Sequence, residues 1–150
     1  MRSIPVNIHG TAVSIAGEGV LIIGASGSGK SDLALRLIDR GAILISDDRV
    51  IVVNVNDEPF LQTAPNIENL IEMRGIGIVT MPSVTGIKLR LVIDLGAKVF
   101  RFIDTFADYD VAGFVVPCVA LAAFEASATI KVEQALKSVI DQAGAIMAKS

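Results

Sequence analysis

The chain has 150 residues, 52% of them hydrophobic and 19% charged, with a formal net charge of -3 and a mean hydropathy of +0.62. That much apolar content excludes a disordered chain, and a single cysteine, Cys118, excludes a disulfide framework and fits a reducing compartment. With 13 Lys+Arg against 16 Asp+Glu, 5% aromatics and no Trp, both the basic footprint and the stacking platform of a general nucleic-acid binder are missing.

Taken in order, Ile4 to Ile8, Thr11 to Ile15 and Gly19 to Ile23 are short β-rich runs separated by glycines, which predicts two small hairpins or a meander. Ser31 to Arg40 changes period. Ala34, Leu37 and Ile38 share a helical face, Asp32 sits near the start, and Gly41 stands where a glycine closes a helix. Ala42 to Ile45 reads as a buried strand stopped by Asp47 and Asp48, and Val50 to Val55 as the next. Ile87, Leu89, Leu91 and Ile93 alternate with Lys88 and Arg90, which predicts a strand with one apolar face. Residues 95 to 125 show no clear period.

The chain ends in an amphipathic helix, about Ile130 to Met147. Its stripe is Val132, Ala135, Leu136, Val139, Ile140, Ala143, Ile146 and Met147, and Glu133 and Lys137 form an i,i+4 pair. The uncharged run Val111 to Phe124 is broken by Gly113 and Pro117 and falls short of the ~20 residues a spanning helix needs. Met1–Gly10 carries no basic-then-apolar leader. The expectation is a soluble cytoplasmic protein without membrane insertion, formed as one domain over residues 1–150.

One motif stands out. Gly24-Ala25-Ser26-Gly27-Ser28-Gly29-Lys30-Ser31 matches the phosphate loop G-x-x-x-x-G-K-[ST], after the strand Val20–Ile23 and before a helix. Glycines let successive N–H groups turn toward one anion, and the helix N-terminus adds partial positive charge. Lys30 would reach the β/γ-phosphates and Ser31 would ligate Mg²⁺. An ordinary glycine-rich turn explains neither Lys30 nor Ser31.

The strand ending in Ser46-Asp47-Asp48 should finish beside that loop, where open α/β sheets bind ligands. One carboxylate, Asp47 or Asp48, could hold Mg²⁺ and the other could accept a proton from an incoming hydroxyl. His9, the sole histidine, precedes Gly10 at the end of the first strand. Glu72-Met73-Arg74-Gly75-Ile76-Gly77-Ile78 reads as an ordered loop near an anion. Cys118, the four Met and the Phe residues read as core or near-core.

Together these residues resemble the catalytic domain of bacterial HPr kinase/phosphorylase. The matching pieces run from His9-Gly10 through the loop, SDLALRLIDRG, Ser46-Asp47-Asp48 and the Glu72–Ile78 signature. The tail around Pro117-Cys118-Val119-Ala120-Leu121 resembles the short alphaproteobacterial form. The resemblance implies an α/β P-loop fold of the phosphoenolpyruvate carboxykinase type, with a mixed sheet and few helices, often assembled as a homo-hexamer.

It also implies an ATP- and Mg²⁺-dependent kinase that phosphorylates a serine of HPr, the phosphotransferase-system carrier. The reverse reaction would attack phosphoserine-HPr with phosphate. In that mapping Asp48 is the proton acceptor, Lys30 the phosphate-loop lysine, His9 the family histidine, and Ser31 and Glu72 metal ligands. Three departures are visible: no room for the amino-terminal domain of the long forms, no arginine loop after Pro117, and only Arg101 as a nearby catalytic arginine. A P-loop enzyme of a small molecule and a non-catalytic nucleotide sensor remain as alternative readings.

Overall fold

The computed structural model describes residues 4–149, with side chains to residue 143. The elements are β1 (Val6–His9), β2 (Thr11–Ile15), β3 (Glu18–Ile23), α1 (Lys30–Asp39), β4 (Ile43–Ser46), β5 (Arg49–Val55) and β6 (Glu58–Thr63). After them come β7 (Leu70–Met73), β8 (Gly77–Thr80), β9 (Ile87–Asp94), β10 (Ala107–Val111), β11 (Phe114–Ala120) and α2 (Ala128–Lys149). The main sheet is mixed and runs β1-β5-β6-β9-β3-β2-β4. β9 is its branch point, pairing with β6 through Ile87 and Lys88 and with β11 through Val92 to Asp94. β7 and β8 form a separate hairpin.

The central strands are buried on both faces, which is why β3 reads as a continuous apolar run rather than an alternation. Val13, Val20, Ile22, Leu91 and Ile93 face the helices and pack on Leu33, Leu37, Val132 and Leu136. Ala12, Leu21, Ile23 and Val92 face the other way, under Val50, Val52, Leu61, Val111 and Val116. Burying one Leu or Val in either layer stabilises the fold by about 1.5–3 kcal/mol. The high mean hydropathy is thus spent on a sheet enclosed from two sides.

Helix α1 forms as its period predicts. Leu33, Ala34 and Leu37 are buried, Arg36 pairs with Asp32, and the end is a Schellman closure in which Gly41 N donates to Ile38 O and Ala42 N to Leu37 O. Helix α2 buries Val132, Leu136 and Val139 in the same layer. Ile146 and Met147 lie outside the described side chains. Among the described residues Glu133 bonds Arg40, which caps the end of α1, at 2.7 Å rather than pairing along its own helix.

Several expectations are corrected. β1 does not form a hairpin with β2. It pairs antiparallel with β5, because Gly10 turns the chain where an added Cβ would lie 2.9 Å from Ile22 O. The alternation of β9 breaks at a register shift, where Gly19 opposes Leu89 but Val20 opposes Leu91. Leu89 therefore faces the layer opposite to Leu91 and Ile93. The Glu72–Ile78 segment belongs to the β7–β8 hairpin, and residues 95 to 125 contain the β10–β11 hairpin. Cys118 is in the core, but Phe100, Phe102 and Phe124 are exposed.

Candidate active site

The loop between β3 and α1 is the hub of the site. Gly29, just before the helix, has φ 101, and a Cβ there would meet Ala123 Cβ and Phe124 Cζ at 2.9 Å each. Only glycine meets both demands. Lys30, 6% exposed, folds its ammonium under the loop and donates to Gly24 O at 2.9 Å and Ala25 O at 3.0 Å. Ser28 Oγ is buried without a protein partner among the described residues. A buried hydroxyl left unmatched beside loop amides suits an anion such as phosphate.

β4 lies two strands from β3, both antiparallel to the β2 between them, so its end arrives beside the loop. Asp47 follows it and is 8% exposed. Its Oδ1 accepts from Ser31 Oγ at 2.6 Å and Thr11 Oγ1 at 3.0 Å, and its Oδ2 accepts from Glu72 N at 2.9 Å. One carboxylate thereby ties together α1, β2 and β7. A buried carboxylate is stable in this form because three donors replace its water.

Asp48 is held differently. Its φ is 69, its N donates to Thr11 Oγ1 at 3.2 Å, and its carbonyl accepts from Gly10 N at 2.9 Å. The exposed Asp48 Oδ1 lies 3.0 Å from Nε2 of the half-exposed His9. The two adjacent aspartates therefore occupy different surroundings, Asp47 enclosed by donors and Asp48 open to an incoming group. His9 and Gly24 also line one cleft of ≈ 340 Å³, with Asp94, Tyr109 and Asp110 on its walls.

The donors for a divalent cation are hard oxygens, Ser31 Oγ and the Asp47 carboxylate, the type that suits Mg²⁺. Glu72 touches this set only by donating its backbone N–H to Asp47, while its side chain is exposed on β7. No group of three or more His, Cys, Asp or Glu side chains suited to a metal occurs among the described residues. Arg74 is exposed in the β7–β8 turn. Arg101 is exposed in the segment before β10, its guanidinium 5.3 Å from the Phe102 ring centre.

Residues 3–102 match the family described as HPr Serine kinase C-terminal domain. The chain belongs to that family. HPr kinase/phosphorylase of Mycoplasmopsis pulmonis is 47% identical over 83 residues, 55% of this chain and 27% of the relative. The Lactobacillus acidophilus protein of the same name is 44% identical over 112 residues, 72% of this chain and 34% of the relative. The chain thus spans about a third or less of these curated relatives. The structure described as the Hpr(Ser) kinase/phosphatase from Coxiella burnetii superposes with a TM-score of 0.83 at 22% identity, covering 96% of each chain. The α/β P-loop fold with a mixed sheet and few helices is that of this structure. Members of the family use nucleotides, in keeping with the loop built around Lys30. No helix among the described residues is long and apolar enough to cross a membrane.

Thr11 is the site residue that sequence reasoning misses. It is fully buried, it donates to Asp47 and it accepts from Asp48, so it sets the spacing of the two carboxylates. A hydroxyl opening a mostly apolar strand beside Gly10 was its only signal. Ser46 plays a similar part, accepting from Ala64 N at 3.1 Å and donating to Arg49 O at 2.5 Å across the turn.

Proposed function

We propose that this chain is a single catalytic domain that transfers the γ-phosphoryl group of ATP to a serine of an HPr-like phosphocarrier protein, with Mg²⁺. The observation that carries the reading is the hydrogen-bonded path Ser31–Asp47–Thr11–Asp48–His9, which joins the phosphate loop to an open carboxylate. Family membership supplies the substrate class, since its curated relatives are named HPr kinase/phosphorylase.

The roles follow from charge and position. The loop amides and Lys30 would hold the β- and γ-phosphates, with Gly24, Ala25, Ser26, Gly27, Ser28 and Gly29 forming the cradle. Ser31 and Asp47 would hold Mg²⁺, with Glu72 at the margin of the same set. When bound, the cation neutralises charge on the phosphate oxygens. Asp48 accepts the proton of the serine hydroxyl as its oxygen attacks phosphorus and the bond to ADP breaks. His9, bonded to one carboxylate oxygen of Asp48, fixes the orientation of the other. Catalysis of this kind is mostly alignment and charge neutralisation.

Incubation with HPr, ATP and Mg²⁺, followed by intact-mass measurement, should show HPr gaining one phosphoryl group. No gain while ATP is demonstrably bound would overturn the kinase reading and favour a nucleotide sensor. Asp48→Asn should lower the transfer rate by about 10²–10⁴-fold, the usual contribution of a general base, with ATP affinity retained.

A further inference from the structure

The phosphate loop has two ends with different surroundings, and these give it a direction. At the Gly24 end it shares a cleft with His9, the partner of Asp48. On the reading above, the acceptor hydroxyl and the γ-phosphate meet there. The α-phosphate and the nucleoside then leave at the other end, where Gly29 opens α1.

At that end an aromatic ring is waiting. Phe124 lies against Gly29, where an added Cβ would stand 2.9 Å from its Cζ and 3.2 Å from its Cε1. The ring is 68% exposed, although its neighbours Leu121 and Ala123 are 8% and 6% exposed. The backbone carrying it is pinned. Arg36 of α1 donates to Ala123 O and, at 3.3 Å, to Glu125 O, and is itself held by Asp32 at 3.0 Å. Glu125 is also paired with Lys131 at 2.9 Å. An apolar ring that is presented to solvent by a fixed segment, beside the amides that bind phosphate, has the properties of a base-stacking platform.

We propose that Phe124 binds the nucleobase of the nucleoside triphosphate by stacking. The inference rests on the reading of the loop as a nucleotide site and adds the residue that distinguishes a nucleotide from bare phosphate. Stacking needs only a π-face, so the platform accepts adenine and guanine alike. Base selectivity from this residue is therefore weak.

The test compares ATP with inorganic tripolyphosphate, both with Mg²⁺, by calorimetry on the whole chain. Phe124→Ala should raise the Kd for ATP about tenfold and leave that for tripolyphosphate within about twofold, since only ATP carries a base to stack. Phe124→Trp should keep ATP affinity. As the chain holds no other Trp, its fluorescence should be quenched by ATP and not by tripolyphosphate. Unchanged ATP affinity in Phe124→Ala, equal weakening of both ligands, or wild-type binding of tripolyphosphate without ATP would each overturn the proposal. Failure of the wild type to bind either would instead overturn the nucleotide-site reading on which it stands.

Discussion

Replacing Asp47 with Asn isolates what the buried carboxylate does for the fold. Asp47 has two acceptor oxygens facing three donors, the hydroxyls of Ser31 and Thr11 and the amide of Glu72. An asparagine has one acceptor and one NH₂. With its oxygen toward the hydroxyls, the NH₂ confronts the Glu72 N–H. With its oxygen toward Glu72, the NH₂ confronts Thr11, whose O–H loses the acceptor it has in Asp47 Oδ1. Either way one buried donor is stranded, at about 1–3 kcal/mol.

The surviving bonds also fall from charge-assisted to neutral strength, while relief from burying a charge offsets part of that loss. The net destabilisation is about 2 kcal/mol, and at this chain length each kcal/mol moves Tm by about 2–4 °C. Calorimetric unfolding with chelator present, so that metal binding does not contribute, should place Asp47→Asn about 4–8 °C below wild type. Thr11→Val removes a partner of the same carboxylate, so the double variant should lose less than the sum of the singles. A Tm for Asp47→Asn equal to or above wild type would refute this account of the site.

Two further outcomes follow from local geometry. Gly29→Ala must place a Cβ 2.9 Å from both Ala123 and Phe124 at φ 101. The positive φ alone costs about 1–2 kcal/mol, so the urea midpoint should fall and ATP should bind more weakly. An unshifted midpoint would mean that the loop relaxes freely. Burial, with the charge of Asp94 adding to it, pushes the Cys118 thiol from 9.0 up to about 11. Between those values the unfolded chain has released a proton that the folded chain keeps, so stability falls as pH rises through the window. Urea midpoints should drop more for wild type than for Cys118→Ala between pH 9 and 11, and parallel losses would contradict the shift.

Legibility followed the range of the interactions. Helix α1 and its glycine closure were readable because capping and helical period act within a few residues. The pairing of β1 with β5 was not, since residues as distant as His9 and Arg49 meet through a turn at Gly10 whose need appears only when Ile22 O is placed. The face of Leu89 was misassigned for the same reason. A register shift against β3 is a property of two strands, and it reverses a periodicity read from one. The β10–β11 hairpin was missed because β10 is exposed on both faces from Ala107 to Asp110, so Asp108 and Asp110 interrupt any apolar alternation.

The sequence by itself determined the phosphate loop, the helix behind it and the pair of aspartates, because backbone conformation and charge at those positions are written in residue type and spacing. The tertiary structure decided which aspartate is enclosed and which is open. Asp47 and Asp48 are chemically the same group, and only the donors of Thr11, Ser31, Glu72 and His9, brought from separate elements, make them different. It also decided that Phe124 is a presented ring rather than a core one, since exposure depends on what other segments cover.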